Sequence, residues 1–286
     1  MATAILNGVT LNYQRRPGRG PEIVFVHGLA TNMAFWYLGV VPLLKRRFCI
    51  TLFDLRGHGR SDMPRAGYST RDMAEDLHAL VQHLGLGRFH LVGHSYGGAV
   101  ALHYAVLHPE RVATLTLADA RIRAFQPTQR IKDWPNAEYW EKRIKDLQVP
   151  VSLDDPEMGY RFIEALAEAK VQGNGKLVAL NSFSPFGSLL GSGRTAQRWL
   201  QLLRTTTARS DFEEVAGLTE EKIRQVDQQT LAIFGELSNC LASCRGLKEH
   251  LPHCRIVIIP RAGHFHPAVK PRYFTRSLIS FLRKCA

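Results

Sequence analysis

The sequence predicts an α/β protein whose central sheet is mostly parallel, flanked by helices and interrupted once by a helical insertion. Six short runs of apolar and β-branched residues supply the predicted strands, at residues 22–27, 49–54, 88–93, 113–119, 230–235 and 255–260. Continuous apolar runs of this length are typical of strands that are buried on both faces, as in parallel sheets. Helical patterns between the runs complete an alternation that predicts right-handed strand–helix–strand connections.

Two of those helices have clear patterns. Residues 72–84 repeat apolar side chains on one face at helical spacing, namely Met73, Leu77, Leu80, Val81 and Leu84. Residues 99–107 form the second pattern, which stops before the His-Pro pair at 108–109 because proline disfavours a helical residue before it.

The alternation breaks between residues 121 and 226, which are helical in pattern and rich in aromatic side chains. Because the strand pattern resumes at residue 230, we expect residues 1–120 and 227–286 to form one core, with residues 121–226 inserted as a helical cap. Glycine, serine and proline are frequent at 181–193, which is typical of a loop. That loop is either a mobile lid or a plain connection between helices.

The length and the cysteine content restrict the class of protein. At 286 residues the chain can bury a full core without disulfides or a metal. Its five cysteines form an odd set without a Cys-x-x-Cys pair, which is typical of a reducing compartment. The first residues lack a signal-peptide pattern, and no apolar run reaches the roughly 18 residues of a membrane span. We therefore expect a cytoplasmic protein with no membrane span.

One group of potential metal ligands is close together in the sequence: Cys240, Cys244, His250 and His253. Its spacing does not match the paired-ligand pattern of structural zinc sites. We expect neither a metal nor an organic cofactor.

The net charge of +12 is concentrated towards the C-terminus. Between residues 245 and 284 the only acidic residue is Glu249, against a series of lysines and arginines. This excess fits either an ordinary solvated surface or an acidic partner, such as a carrier protein or a phosphate-bearing substrate. No helix-turn-helix, zinc-finger or RNA-binding signature accompanies the charge, so we expect no nucleic-acid partner.

The strongest chemical signal is at residues 93–97, which read Gly-His-Ser-Tyr-Gly. The run directly follows a predicted strand and directly precedes a predicted helix, which is the context in which Gly-x-Ser-x-Gly forms a strained turn around a nucleophilic serine. The N-terminus of the following helix presents free N–H groups towards developing negative charge. Ser95 is therefore the candidate nucleophile.

With three further motifs, this turn resembles the α/β-hydrolase superfamily, in particular its serine esterases and thioesterases. The motifs are His-Gly-Leu at 27–29, Asp-Leu-Arg-Gly-His-Gly-Arg-Ser at 54–61 and Gly-His-Phe at 263–265. The resemblance covers nearly the whole chain and implies an α/β-hydrolase fold. It makes His264 the general base, with the main-chain N–H groups of Leu29 and Tyr96 forming the oxyanion hole.

The resemblance also indicates which residues contact the substrate. His27 and Gly28 are candidates next to the oxyanion loop. Aromatic residues of the cap are candidates for the acyl pocket, namely Trp134, Trp140, Phe183 and Phe186. Other histidines look structural by motif or by position, namely His58, His94 and His266, and His27 shares that interpretation.

The acid of the triad is not at its usual place. Ser238 stands where members of the superfamily commonly carry an aspartate, and a neutral serine cannot stabilise an imidazolium. Asp119, at the end of the preceding strand, is our candidate, because some members place the acid there; otherwise it only caps the following segment. Glu236 is a second candidate, and a third possibility is that Asn239 or Ser238 only orients the histidine.

Three functions are the main candidates from the sequence; hydroxynitrile lyases, carbon–carbon bond hydrolases and cofactor-free perhydrolases of the superfamily keep the same serine arrangement and also stay open. The first is hydrolysis of an ester or thioester of a mainly apolar acyl group, with a small-molecule acyl substrate and possibly a carrier-protein or coenzyme A thioester. The second is acyl transfer from the same serine to an acceptor other than water, and the third is non-catalytic ligand binding. Dehalogenases and epoxide hydrolases of the superfamily need a carboxylate at the nucleophile position, which Ser95 does not supply. The oligomeric state is not determined by the sequence.

Overall fold

A computed structural model describes residues 1–37, 39–174 and 193–285. Its centre is one eight-stranded sheet with the strand order β1-β2-β4-β3-β5-β6-β7-β8. The strands are β1 (Ala2–Leu6), β2 (Val9–Arg16), β3 (Glu22–Val26), β4 (Cys49–Phe53), β5 (Phe89–His94), β6 (Val112–Ala118), β7 (Thr230–Gly235) and β8 (Cys254–Ile259). Strands β3 to β8 pair in parallel, and β1 and β2 add two antiparallel strands at one edge.

The predicted α/β class and the six predicted parallel strands are therefore confirmed, each within about two residues. The sequence analysis missed the β1–β2 hairpin. Its turn is Asn7-Gly8, and both residues have positive φ angles of 50° and 73°. An Asn-Gly pair between short apolar runs is a strong hairpin signal, so this pair could have predicted the two strands.

The helices that the structure describes pack on both faces of the sheet, and several of them lie in the chain segment that connects β6 to β7. They are α1 (Ala34–Tyr37), α2 (Val41–Leu44), α3 (Thr70–His83), α4 (Tyr96–Leu107), α5 (Ala137–Asp146), α6 (Met158–Val171), α7 (Gly193–Thr205), α8 (Ala208–Asp211), α9 (Glu220–Ile223), α10 (Leu241–His250), α11 (His266–Val269) and α12 (Pro271–Leu282). Helix α3 begins with a complete capping box, in which Ser69 and Asp72 satisfy each other's main-chain N–H groups. The predicted helices at 72–84 and 99–107 correspond to α3 and α4.

Two apolar clusters, one on each side of the sheet, form the core. One contains the buried faces of α3 and α4 and extends into the segment between β6 and β7, and the other contains α1, α2 and α12. Helix α4, which follows Ser95, is apolar all round and almost completely buried. A helix that is apolar on every side belongs inside a protein, so the serine turn is fixed at both ends by buried structure.

The segment between β6 and β7 contains no strand within the residues that the structure describes. This segment contains helices α5 to α9. Its core includes the rings of Trp134, Trp140 and Phe162, which contact one another edge to face. This arrangement agrees with a helical insertion, while the cap boundaries at 121 and 226 stay a prediction. Most of the predicted loop at 181–193, including Phe183 and Phe186, lies outside the described residues. Across the described helices, none combines the length and the apolar character that a membrane span requires.

Candidate active site

Ser95 lies in a strained turn between β5 and α4. Its φ and ψ angles are 56° and −126°, a region that non-glycine residues rarely adopt. A Cβ atom on Gly93 would lie 2.2 Å from the main-chain oxygen of Gly97, and one on Gly97 would lie 2.2 Å from the main-chain oxygen of His27. Both glycines of the motif are therefore required by close backbone approaches.

A hydrogen-bonded chain runs from Ser95 through His264 to Asp119. His264 follows β8, and its Nε2 lies 2.9 Å from Ser95 Oγ. Its Nδ1 lies 3.0 Å from Asp119 Oδ1. Because an ionised carboxylate only accepts hydrogen bonds, Nδ1–H is the donor to Asp119, and Nε2 is left free to accept the hydroxyl proton of Ser95.

Asp119 directly follows β6 and is completely buried, with a φ angle of 50°. Its Oδ2 accepts the main-chain N–H of Gly235 at 2.8 Å, and its Oδ1 also accepts the hydroxyl of Ser238. Burial alone raises the pKa of Asp119, but the hydrogen bonds and charge of His264, with help from Ser238, outweigh burial and lower it below its ordinary value. The carboxyl is therefore held in its ionised form.

Ser238, at the position where an aspartate was expected, hydrogen-bonds to Asp119 and accepts the main-chain N–H of Cys240 at 2.9 Å. It supports the carboxylate from the neighbouring strand and forms no hydrogen bond with His264. The other two alternatives are also directed elsewhere. Glu236 is exposed and accepts the main-chain N–H of Arg261 at 2.7 Å, and the Asn239 side chain contacts only the adjacent thiol.

Cys240 is a neighbour of His264 that the sequence analysis considered only as a zinc ligand. Its Sγ lies 3.8 Å from His264 Nδ1 and 3.6 Å from Gln129 Nε2. Burial lowers the pKa of His264, but the interactions with Cys240 and with the Asp119 carboxylate outweigh burial and raise that pKa to about 10.

Within the described residues, the structure brings three potential metal ligands together. The ligand atoms of Asp119, Cys240 and His264 all lie within 4.8 Å of one another. A cation here would have to displace the proton between His264 and Asp119. The zinc ligands considered from the sequence are separated instead, since His250 contacts Glu220 and His253 pairs with Asp227.

The candidate oxyanion donors lie at the start of a helix and in a loop. Tyr96 is the first residue of α4, and Leu29 lies in the loop after β3. Within the described parts of the chain, neither residue's main-chain N–H donates to another protein group. A Cβ atom on Gly28 would lie 2.9 Å from Ser95 Cβ, so the glycine allows this loop to approach the serine closely.

His27 is not positioned for substrate contact. Its ring is fully buried; Nδ1–H donates to the main-chain oxygen of Gly28 at 2.8 Å, and Nε2 accepts the N–H of Leu55 at 3.0 Å. Burial lowers its pKa to about 4, which keeps the ring neutral. Both nitrogens thus fasten the loop that carries Leu29, and neither His27 nor Gly28 lines the cavity described next.

Three other histidines that look structural from sequence also bind main-chain oxygens. His94 Nε2 donates to the carbonyl of His264 at 2.9 Å, and His266 Nε2 donates to that of Ile233 at 3.1 Å. His58 Nδ1 donates to a carbonyl at 2.9 Å. His94 holds the base loop in place, and none of the three contacts Ser95.

A cavity of about 390 Å³ opens above Ser95 and His264. Trp134 and Trp140, both expected in the acyl pocket, line it. Further apolar side chains that the sequence analysis did not single out also line it: Tyr139, Phe162, Ile163, Leu166, Leu237 and Val269. Several of these are substantially exposed at the mouth, including Tyr139 at 56% and Leu237 at 44%. The cavity is therefore mainly apolar from its wall to its entrance.

Polar side chains also line the cavity, and two of them, Arg121 and Gln129, are buried. Arg121 is buried and pairs with Glu157 through two hydrogen bonds, of 2.7 and 3.2 Å. Burial disfavours the charged guanidinium, but Tyr160 and Glu157 outweigh it and raise the pKa of Arg121. No motif identifies Arg121 from sequence, because its position depends on how the segment after β6 folds back onto α6.

Comparison with known proteins identifies the family. The family model described as alpha/beta hydrolase fold matches residues 21–271. The protein belongs to this family. The match confirms the family and the fold predicted from residues 27–29, 93–97 and 263–265.

Individual relatives vary in name and in coverage. The fluoroacetate dehalogenase of a Burkholderia species is 36% identical over 147 residues, which are 50% of this chain and 47% of that protein, so the alignment spans about half of each. The pimeloyl-acyl-carrier-protein methyl ester esterase of Nitrosomonas europaea is 28% identical over 257 residues, covering 86% of this chain and 90% of that protein. A solved meta-cleavage product hydrolase from Pseudomonas fluorescens has a TM-score of 0.70 at 19% identity, covering 100% of this chain and 98% of the other. At that identity the likeness shows the fold alone.

Proposed function

We propose that this protein is a serine hydrolase that cleaves an ester or thioester of a mainly apolar acyl group through an acyl-enzyme on Ser95. The observation that carries the proposal is the continuous hydrogen-bonded chain Ser95 Oγ–His264–Asp119, with bonds of 2.9 and 3.0 Å. Both distances lie within the range that proton transfer from a nucleophile to its base requires.

Each member of the chain has a defined role in the proposed reaction. His264 Nε2 removes the proton of Ser95 as Oγ attacks the carbonyl carbon, and then returns it to the leaving group. Asp119 keeps the imidazole in the correct tautomer and stabilises the imidazolium. The N–H groups of Leu29 and Tyr96 stabilise the oxyanion. Water then attacks the acyl-enzyme while His264 takes its proton, and His264 returns that proton to Ser95 as the acid product leaves.

The cavity supports an apolar acyl group of moderate size. Its volume of about 390 Å³ falls within the range of small-molecule sites, and its wall is mainly aromatic and aliphatic. Arg121 and Gln129 line the same cavity and are our candidates for contact with a polar group of the substrate. Exposed Arg261 lies at the same cavity, so a thioester of an acidic carrier protein or of coenzyme A belongs among the substrates to test.

The relative named as a dehalogenase does not support that activity here. Displacement of a halide in this superfamily needs a carboxylate nucleophile, and the strained turn of this chain carries Ser95 instead. The relative named as a methyl ester esterase, which matches most of both chains, is consistent with acyl chemistry.

The experiment is hydrolysis of p-nitrophenyl esters from acetyl to dodecanoyl by the full chain. We expect turnover by the unmodified protein, with its optimum at the acyl length that fills the cavity, and none by Ser95→Ala. A stoichiometric burst of nitrophenol followed by silence would indicate transfer to another acceptor. Equal rates for the unmodified protein and Ser95→Ala would exclude the proposed nucleophile.

A further inference from the structure

A second cavity, of about 470 Å³, lies apart from the one above Ser95. The loops after β3 and β4 bound it on one side and helix α7 on another. Its wall includes Thr31, Asn32, His58, Arg60, Arg198 and Trp199, and the two cavities have no lining residue in common. The proposed hydrolysis therefore does not account for it.

The charges on its wall are strongly unbalanced. Arg60, Arg194 and Arg198 all line the cavity. Within the described residues none of them pairs with a carboxylate; Arg198 donates to the main-chain oxygen of Ser61, and Arg60 reaches only the sulfur of Met1. Three guanidinium groups thus line one space and form no ion pair with a described carboxylate, although the charge of Asp62 lies near enough to act on Arg198.

One carboxylate, that of Asp54, also lines this cavity, but it is already saturated. Its Oδ2 accepts from Asn12 Nδ2 at 2.7 Å and from the main-chain N–H of Arg60 at 2.9 Å, and its Oδ1 accepts the N–H of Met33 at 2.8 Å. These bonds fasten the two loops to each other. Asp54 therefore stabilises the wall, and its single negative charge is outnumbered by the three guanidinium groups, with which it forms no ion pair.

The wall also contains polar atoms that lack partners. His58 Nε2, Arg198 Nε and Trp199 Nε1 are all buried and have no hydrogen-bond partner among the described residues. Burial lowers the pKa of His58 to about 3, so its free nitrogen is an acceptor. Unsatisfied buried polar groups are uncommon in native proteins, because each loses its hydration without compensation. Two donors and one acceptor on residues of one wall are therefore available to hydrogen-bond a bound molecule.

We propose that this cavity is a second binding site, for a small molecule that carries phosphate or carboxylate groups together with hydroxyl groups. Guanidinium groups match the geometry of both oxyanions, because two parallel N–H donors meet two oxygens. The Asn32 amide and the Thr31 hydroxyl on the same wall supply neutral hydrogen bonds for the rest of the ligand. Phosphate and carboxylate share this recognition chemistry, and the experiment distinguishes them.

The test is calorimetric titration of the full chain with inorganic phosphate, adenosine 3′,5′-bisphosphate and citrate, each used separately. The double variant Arg60→Met/Arg194→Met removes two exposed charges of the cavity. Arg272→Met/Arg276→Met is the matched control, because it removes the same charge from exposed positions of α12 that do not line the cavity. Melting temperature and p-nitrophenyl ester hydrolysis check that each variant is folded, and Arg194→Met alone replaces the double variant if that variant does not fold.

We expect at least one probe to bind the unmodified chain, with an affinity that falls tenfold or more in the cavity variant and stays unchanged in the control. A preference for the phosphate probes or for citrate identifies the oxyanion. Binding by none of the probes, or equal weakening in both double variants, would overturn the proposal, since equal weakening indicates attraction to net charge alone. Because binding is measured without turnover, the outcome is independent of the proposed hydrolysis.

Discussion

Replacing Asp119 by asparagine changes one atom of the buried carboxyl group and tests its role in the triad. In the native chain Oδ2 accepts the main-chain N–H of Gly235, while Oδ1 accepts from both Ser238 and His264. The Gly235 N–H is a fixed donor, so the remaining oxygen of the amide must stay opposite it. The new NH₂ group then faces Ser238 and His264.

That orientation forces the imidazole into the wrong tautomer. The Ser238 hydroxyl can rotate to accept from the NH₂ group, but His264 can accept only through an unprotonated Nδ1. Its proton then moves to Nε2, which faces Ser95 and can no longer take the hydroxyl proton. The same substitution in a serine protease triad reduces kcat about 10⁴-fold, which corresponds to about 5 kcal/mol of transition-state stabilisation. We expect a loss of that order in Asp119→Asn.

The assay is kcat for the best p-nitrophenyl ester, measured beside the melting temperature. Glu236→Gln is the matched control, because it neutralises a nearby carboxylate that is exposed and has no contact with His264. We expect Glu236→Gln to retain the native rate. A rate for Asp119→Asn within tenfold of native, in a folded protein, would refute the assignment of the acid.

Three further predictions follow from the same geometry. Gly97→Ala should lower the melting temperature and abolish esterase activity, because its Cβ would lie 2.2 Å from the main-chain oxygen of His27; a native melting curve would contradict this. Trp140→Ala should shift the acyl-length optimum of the ester panel to longer chains by enlarging the cavity, and an unchanged optimum would show that this wall does not contact the acyl group. Because Asp119 raises the pKa of His264, and only the neutral imidazole accepts a proton, kcat/KM should rise with pH on the acid side. In Asp119→Asn the His264 imidazole should lose its extra proton at lower pH, and an unmoved midpoint in an NMR titration of that ring would contradict this cause.

Much of the fold could be predicted because its signals are local. The six parallel strands are continuous apolar runs, and Gly93 and Gly97 mark the serine turn directly. The β1–β2 hairpin carried an equally local signal in Asn7-Gly8, which the sequence analysis passed over.

The site could be predicted only in part, because several of its contacts join residues that are distant in sequence. His264 and Asp119 are 145 positions apart, and their hydrogen bond depends on the order of the strands that carry them. From sequence, Ser238 shows only that the usual aspartate is absent at this position. Its hydrogen bond to Asp119 depends on the pairing of β6 with β7, which the local sequence does not reveal. Arg121 and Cys240 carry no motif at all. His27, expected beside the substrate, is held beneath the oxyanion loop because both of its nitrogens are already bonded.

The catalytic roles, the cap boundaries and the cytoplasmic location remain predictions. The proposed reaction depends most on one of these roles, that of Ser95 as the nucleophile. The most direct measurement is labelling of the full chain with a fluorophosphonate, followed by peptide mass spectrometry. We predict a single adduct on the peptide that contains Ser95, formed rapidly in the native chain, slowly in His264→Ala and not at all in Ser95→Ala. An adduct on another residue, or no adduct on a folded native chain, would contradict the proposed mechanism.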